Sequence, residues 1–442
     1  MDRTRIAAPP ETSRGRRRGL RRRLRTLSTL ALCTLGLVVG VAVPAGAFPD
    51  RLSRGGHLDF DYGSAVNAAG GPGTSYKPES KLFYTGGHDG ERVRWWAVVG
   101  TSDSSPGAGV WLWQLEHHRW HAEVRLPGSD PWAKADALYR GRTLTVSLRD
   151  DRDTRDGNPR ESNLYSVRYR GDGAWDRASR PTRITTRGVE TLTIARDGLD
   201  RIWATYEADG KIWVGAKTRS GSSFAFFELS RTDVKADDVS SVVSFGGDRV
   251  GVFWSDQNAR RDVFAWHRDS DPVRSGWHLE TAYGGGVGDC PTEASGLCAD
   301  DHMNVKVRGG EIFVAIKTGL NDAPSPATRD PLIVLLHRDD GGRWTSSEVS
   351  TVGQDATRPI VLVDPAMARI WVWATMDRRV VVWQAGLGSR SFHSERWAPW
   401  VSGAAVNDAT STKQTTTDRS GVVVLVSAAA EDQFWHNEFL PG

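Results

Sequence analysis

The stretch Ile370-Trp371-Val372-Trp373-Ala374 is one of seven short apolar runs, rich in β-branched and aromatic residues, that recur along the chain. The other six occupy residues 95–99, 144–148, 202–206, 250–254, 312–316 and 422–426. Successive runs start 48 to 62 residues apart. A repeat of this length that holds several strands is typical of a β-propeller. We therefore predict an all-β fold with seven blades.

We interpret these runs as the second strands of four-stranded blades, because each is followed after a turn by another strand-like run. An outer fourth strand follows in six repeats, but the last repeat reaches Gly442 without one. Residues 57–62 carry a strand pattern, and we expect them to pair with residues 433–439 and close the ring. The predicted blades span residues 78–130, 134–187, 189–231, 237–284, 300–352, 357–402 and 407–442 with 57–62.

The N-terminal segment differs in composition from the rest of the chain. Ten Arg and two acids precede an uncharged apolar run at 27–43, which ends at Pro44-Ala45-Gly46-Ala47. This order is typical of a secretory signal peptide, so we predict a leader of 1–47 and a single domain of 48–442. A retained membrane anchor is the alternative. Loss of the leader changes the net charge from +3 to −5, which gives no electrostatic reason to expect nucleic acid or an anionic membrane as partner.

Two cysteines remain after the leader, Cys290 and Cys298. An even pair at this short spacing in an exported protein predicts a local disulfide, which would stiffen the rim of an axial pocket. Metal binding is the alternative, but no second Cys or His pair stands at ligand spacing. The acidic stretch 151–158 is faintly similar to a calcium loop, yet interleaved Arg residues favour a solvated turn. We therefore predict neither a metal nor a cofactor.

The first strand of each predicted blade carries charged or hydrogen-bonding residues, where a strand between blades would ordinarily be apolar. In the fifth blade, alternation places His302, Asn304 and Lys306 on one face. Innermost strands border the central channel of a propeller, so these groups are expected to meet in one axial pocket. The candidate ligand-binding residues are Lys81, Asp136, Asn304, Lys306, Arg358, Lys413 and Gln414.

This mixture of groups suits a polysaccharide or another polar extracellular ligand, which a monomeric protein would bind. If the protein is an enzyme, the same pocket would cleave a glycan by hydrolysis or elimination. Its candidate acid and base carboxylates are Glu190, Asp238 and Asp301, and its candidate proton shuttle is His302. Two alternatives remain open. The polar groups can pair with one another in a wet channel, or the protein can be a non-catalytic scaffold or adhesion module that uses an outer surface.

Two turns share a basic residue, an Asp-Gly pair and a Trp: Tyr169-Arg170-Gly171-Asp172-Gly173-Ala174-Trp175 and His337-Arg338-Asp339-Asp340-Gly341-Gly342-Arg343-Trp344. They resemble the Asp-boxes of sialidase-type propellers, which are structural turns, and we expect their Trp to pack between blades. The stretches 299–306, 357–361 and 407–414 are similar to those of a broad group of exported bacterial propellers without assigned activity. That resemblance implies fold and export but no catalytic residue. The arginine triad and Tyr nucleophile of true sialidases cannot be assigned in this sequence.

Overall fold

The computed structural model describes residues 57–61, 73–74, 78–87, 91–149, 161–218, 221–288, 290, 297–397, 405–428 and 433–439, with only the backbone at 57–61 and 393–397. Its strands form seven antiparallel sheets, each one blade. The predicted seven-bladed, all-β propeller is thus confirmed. The described helical segments are two 3-10 turns, Leu320–Asp322 and Val352–Gln354. No helix in this part of the chain is long and apolar enough to cross a membrane. The expected leader and the stretch 151–158 lie outside the described residues.

Blades 1 to 6 follow one another along the chain, and each runs from its inner strand outward. Blade 1 comprises Leu82–Thr85, Arg94–Thr101, Gly109–Glu116 and Arg119–Arg125. Blade 2 comprises Lys134–Arg140, Thr143–Arg149, Ser162–Gly171 and Thr182–Thr185, with Ala174–Trp175 paired beside the third. Blade 3 comprises Thr193–Arg196, Ile202–Ala208, Lys211–Lys217 and Ala225–Glu228. Blade 4 comprises Ser240–Phe245, Arg249–Asp256, Arg261–Arg268 and His278–Gly284. Blade 5 comprises Met303–Arg308, Glu311–Lys317, Pro331–Arg338 and Trp344–Thr351. Blade 6 comprises Thr357–Asp364, Arg369–Met376, Arg379–Gly386 and His393–Trp397.

The seventh blade combines strands from two distant parts of the chain. Its strands are Asn407–Thr410, Val422–Ala428, Gln433–Phe439 and, outermost, His57–Asp61. The outermost pair is antiparallel, with Asp61 opposite Gln433 and His57 opposite His436. The contribution of this strand to closing the ring stays a prediction.

From blade 1 to blade 7, the inner strand of each blade contacts the inner strand of the next. Backbone hydrogen bonds connect neighbouring blades: Ala137 N donates to Ser80 O at 2.7 Å, and Leu82 N donates to Ser411 O at 3.2 Å. The second of these bonds joins the first blade to the seventh. The ends of the inner strands are therefore fixed relative to each other, which positions the polar groups of the channel.

Large aromatic side chains fill the spaces between blades. The ring of Trp175 lies 5.2 Å from that of Trp96 and 5.8 Å from that of Phe83, both in blade 1. In the same way, Trp344 of blade 5 lies 5.6 Å from Phe264 of blade 4. Such pairs add roughly 0.5–1.5 kcal/mol beyond the burial of their area. The prediction that the Trp of these turns packs between blades is confirmed.

One carboxylate in the contact between blades 4 and 5 receives four hydrogen bonds. Arg338 donates to both oxygens of Glu280 at 2.7 and 2.8 Å, and the indole N–H groups of Trp266 and Trp344 donate at 2.8 Å each. Burial by itself would raise the pKa of Glu280, but the bonds from Arg338 and Trp344 outweigh it and hold the pKa below its usual value. Glu280 thus fastens blade 4 to blade 5.

Replacing Glu280 by Gln should lower the free energy of unfolding by roughly 3 kcal/mol near pH 7, because Arg338 stays buried without its carboxylate. The pKa of Glu280 is lower in the folded state, so its stabilisation is complete above the ordinary pKa of 4.5 and is lost as pH falls through the folded pKa. Denaturant unfolding at pH 7 and below pH 4 should show the difference between the proteins shrink in acid. Glu348→Gln, at an exposed position of blade 5, is the matched control and should change stability by less than about 0.5 kcal/mol.

Cys290 and Cys298 form a disulfide with their Cα atoms 5.9 Å apart, so the predicted pairing is confirmed. Cys298 is buried and packs with Tyr283 and Met303 in the apolar cluster between blades 4 and 5. The bond therefore anchors the segment that leads into the inner strand of blade 5.

Thiol titration of the leader-free chain in denaturant should detect no thiol before reduction and two after it, because both cysteines of this part of the chain are in the disulfide. The predicted leader carries Cys33, so the measurement requires a chain without it. Two reactive thiols before reduction would contradict the assignment.

Candidate functional site

A buried carboxylate, Glu79, joins three blades at the axis. It lies 2.6 Å from Lys81 Nζ and 2.9 Å from Arg149 Nε, and it accepts a hydrogen bond from Leu192 N at 3.1 Å. Burial raises the pKa of Glu79, but the charges of Lys81 and Arg149 outweigh burial and hold the pKa below its usual value. These partners belong to the starts of blades 1 and 3 and to the second strand of blade 2.

A second buried carboxylate, Asp136, is held from across the channel. It accepts hydrogen bonds from Ser80 N at 2.9 Å and from Ile194 N at 2.7 Å, and it forms an ion pair with Lys413 of blade 7. The same ammonium donates to Ile194 O at 2.6 Å. Burial raises the pKa of Asp136 although Lys413 opposes the shift. The predicted ligand-binding residues Lys81, Asp136 and Lys413 are thus engaged with other protein groups.

Two amides predicted to bind ligand bridge blades through the backbone. Asn304 Oδ1 accepts Val361 N of blade 6 at 3.2 Å. Gln414 Oε1 accepts a hydrogen bond from Tyr84 N at 2.9 Å, and Gln414 Nε2 donates one to Tyr84 O at 3.1 Å. The side chain of Gln414 thus continues the backbone pairing of the inner strand of blade 1. These contacts give both amides a structural role.

Arg358 lies at the face where the inner strands begin and is 39 % exposed at its side chain. Its Nε is 3.0 Å from Asp408 Oδ1, which joins blade 6 to blade 7. Both residues have left-handed backbone, with φ of 55° and 56°. They occupy irregularities in the pairing of their inner strands. Because the Arg358 side chain is partly exposed, water screens its ion pair with the buried Asp408 and keeps the stabilisation modest.

Lys306 is the least compensated of the candidate cations. It is 3 % exposed, and its ammonium reaches the hydroxyl of Ser80 at 3.5 Å without a carboxylate at ion-pair distance among the described residues. Burial, and then the positive charge of Lys413, lower the pKa of Lys306 to about 7. Near neutral pH the ammonium is therefore only partly populated.

A cavity of about 370 Å³ lies where the inner strands of blades 2 to 5 end. Its lining includes Tyr139, Arg140, Ile194, Ser241, Ser244, Val305 and Lys413. An adjoining groove of about 750 Å³ shares Tyr139 and Arg140 and adds Arg142, Arg170 and Gln414. Arg140 donates to the carbonyl oxygens of Arg196 and Asp197 at 3.0 and 3.1 Å. This end of the channel combines apolar wall, hydroxyl groups and cations.

The four candidate catalytic residues lie at the opposite end, where the inner strands begin. The structure brings two of them together, since Asp301 Oδ1 is 2.6 Å from His302 Nδ1. Glu190 belongs to blade 3 and Asp238 to blade 4. Asp238 is buried, and it accepts Ser255 Oγ and Lys235 N at 2.8 Å each. Burial raises the pKa of Asp238 to about 6.

Sequence reasoning missed several charged residues of this end because it considered only the inner strands. Arg149 and Glu207 lie near the ends of second strands, which reach the same face. Burial, with smaller contributions from the charges of Asp209, Asp238 and Glu190, raises the pKa of Glu207 to about 7. Asp262, at the start of a third strand, is buried, and burial holds its pKa well above the usual value. A charge directly after an apolar run is the signal that would have found Arg149 and Glu207.

No family model matches the chain, and no curated protein matches its sequence. The β-propeller domain of Cps50 (Swd1) from Myceliophteria thermophila is similar in structure, with 10 % identity, a TM-score of 0.45, and coverage of 83 % of this chain and 97 % of that one. AofleA from Arthrobotrys oligospora has 14 % identity and a TM-score of 0.42, and the match covers 70 % of this chain and 83 % of AofleA. TolB from Acinetobacter baumannii has 7 % identity and a TM-score of 0.38, and the match covers 76 % of this chain and 69 % of TolB. These likenesses carry no argument about function, and the kinship with exported Asp-box propellers stays a prediction.

Lys306→Met should stabilise the fold in a pH-dependent way. The folded pKa of about 7 lies below the ordinary 10.5, so burial of the ammonium costs stability below pH 7, and this cost disappears as pH rises toward 10.5. We expect a gain of roughly 1–3 kcal/mol at pH 6 that shrinks toward pH 10, measured by denaturant unfolding at both values. Lys235→Met, at an exposed lysine, is the control without a pH-dependent gain. A less stable Lys306→Met at pH 6 would contradict the assignment.

Proposed function

We propose that the protein is an exported propeller that binds an acidic carbohydrate in the cavity where the inner strands end. The observation that carries this proposal is a pair of cations that line the cavity, Lys413 and Arg140. Behind this lining, the buried Lys306 lies on the strand that contributes Val305 and Val307, and it has no ion-pair partner among the described residues. An anionic group in the cavity would bring negative charge close to these cations. The disulfide and the leader pattern support export.

The chemistry of the lining supports a sugar as the carrier of that charge. Ser241, Ser244 and Tyr139 offer hydroxyl groups to a polyhydroxylated ligand, while Ile194 and Val305 offer apolar surface to its C–H faces. A volume of about 370 Å³ lies within the range of small-molecule sites. The ligand class that fits is a uronate-bearing carbohydrate.

The adjoining groove supports a chain of several acidic units rather than a single sugar. Tyr139 and Arg140 belong to both the cavity and the groove, which continues over Arg142 and Arg170. Glu91 and Asp172 also line this groove, so its charge is mixed. Three guanidinium groups along one path suit successive carboxylates of a polymer.

Cleavage is not part of this proposal. The candidate acid, base and proton-shuttle residues lie where the inner strands begin, whereas the cavity lies where they end. General acid–base catalysis requires the group within hydrogen-bond reach of the reacting atoms. The positions of Asp301 and His302 therefore favour binding over glycan cleavage at this cavity.

Calorimetric titration of the leader-free protein with an oligogalacturonate and with a neutral oligosaccharide of equal length tests the proposal. We expect binding of the acidic chain alone. Arg140→Gln should weaken it at least tenfold, because a guanidinium shared by cavity and groove is lost. Affinity should fall as pH rises through 7, where Lys306 loses its charge, and Lys306→Met should remove that pH dependence while preserving the fold.

Lys235→Met is the matched control, since this exposed lysine lies near Asp238 at the opposite end. Its affinity for the acidic chain should equal that of the wild type. Equal binding of neutral and acidic chains would overturn the acidic specificity. Full binding by both Arg140→Gln and Lys306→Met, or no binding to any carbohydrate, would favour the scaffold that uses an outer surface.

A further inference from the structure

Three consecutive residues before the inner strand of blade 5 converge on one point. One oxygen each of Asp300 and Asp301 and one nitrogen of His302 lie within 4.8 Å of one another. His302 Nδ1 is 2.5 Å from Asp300 Oδ1 and 2.6 Å from Asp301 Oδ1. Lys317 holds the other oxygen of Asp300 at 2.6 Å, which directs Oδ1 toward the imidazole. Two carboxylates and an imidazole are therefore already oriented toward each other.

A second and independent observation lies behind this cluster. Asp262 of blade 4 is 1 % exposed, and neither of its carboxylate oxygens has a hydrogen-bond partner in the described part of the chain. Buried carboxylates are almost always paired or hydrogen-bonded, because their desolvation is costly. The orphaned oxygens of Asp262 thus point to a group that the described protein atoms do not supply.

The register of blade 4 turns Asp262 toward the cluster. Asp262 pairs with Ser255 on one side and with Tyr283 on the other, and paired residues of antiparallel strands share a face. Tyr283 packs with Cys298 in the cluster between blades 4 and 5. Cys298 stands two positions before Asp300, whose charge acts on Asp262. The orphaned carboxylate therefore faces the segment that carries the three converging residues.

The surroundings are rich in negative charge. Asp238 and Asp256 also act electrostatically on Asp262, in addition to Asp300. Lys317, paired with Asp300, offsets one of these charges. Repulsion among carboxylates is relieved when a multivalent cation binds between them.

We propose that this place between blades 4 and 5 binds a divalent cation through Asp300, Asp301 and His302 Nδ1, with the carboxylate of Asp262 facing the ion from the neighbouring blade. Mixed carboxylate and imidazole donors suit a first-row metal such as Mn²⁺ or Zn²⁺, whereas Ca²⁺ prefers oxygen alone. The bound ion connects blade 4 to the inner strand of blade 5 beside the disulfide. It is separate from the carbohydrate cavity, which lies at the other end of the channel.

Thermal unfolding and calorimetric titration of the EDTA-treated, leader-free protein test this site, with Mn²⁺, Zn²⁺ and Ca²⁺ each added alone. We expect Mn²⁺ or Zn²⁺ to raise the midpoint of unfolding by several degrees, because a ligand of the folded state stabilises it. Asp301→Asn and His302→Ala should each weaken binding at least tenfold. Asp248→Asn, an exposed carboxylate at the other end of blade 4, should bind like the wild type.

The variant Asp262→Asn distinguishes two explanations for the unpartnered carboxyl group of Asp262, namely a bound metal ion and simple protonation of a buried acid. In the metal-free protein it should raise the midpoint, because an uncompensated carboxyl group is removed from the interior. Added metal should raise the unfolding midpoint of this variant by at most one third of the increase seen in the wild type. An undiminished metal-dependent gain in Asp262→Asn and His302→Ala would overturn the proposal, as would the lack of any gain in the wild type or a response to Ca²⁺ alone.

Discussion

The arrangement of the inner strands depends on one buried interaction, the ion pairs of Glu79 with Lys81 and Arg149. A carboxylate that has lost its water requires positive charge and hydrogen-bond donors close by. Glu79 finds them in three blades, with the backbone N–H of Leu192 as the third donor. The contacts of Glu79 add short, directional constraints to the close packing between blades. The charge network therefore restrains the rotation of blades 1 to 3 about the axis.

The two ends of the channel differ in physical character. Where the inner strands begin, Arg358 of blade 6 pairs with Asp408 of blade 7, and Asp301 pairs with His302 within blade 5. Where the strands end, the channel opens into a cavity that Lys413 lines. The first end is occupied by charged side chains in close contact, and the second leaves room for a ligand. The propeller thus combines a filled end with an open cavity.

The sequence predicted the blade number and the disulfide because both depend on local patterns, namely the repeated apolar runs and the spacing of Cys290 and Cys298. It also placed polar residues such as Lys81 and Asp136 on the axis. It could not assign their partners, because the contact of Asp136 with Lys413 spans 277 positions. Nor did it find Asp262, whose burial follows from the docking of blade 5 on blade 4. The choice of channel end likewise depends on side-chain packing, which no periodicity encodes.

The seventh blade has a consequence for the order in which the molecule is assembled. Its outer strand, His57–Asp61, is made long before its neighbour Gln433–Phe439, because 372 positions separate Asp61 from its partner Gln433. The contact closes a very long loop, and such distant pairings form slowly because their loop entropy must be overcome first. Until then the early strand has no partner within its own blade. A chain released before residue 433 would carry an unpaired strand edge, which is a signal for aggregation or degradation. The four-stranded sheet of this blade can therefore form only after residues 433–439 have been made.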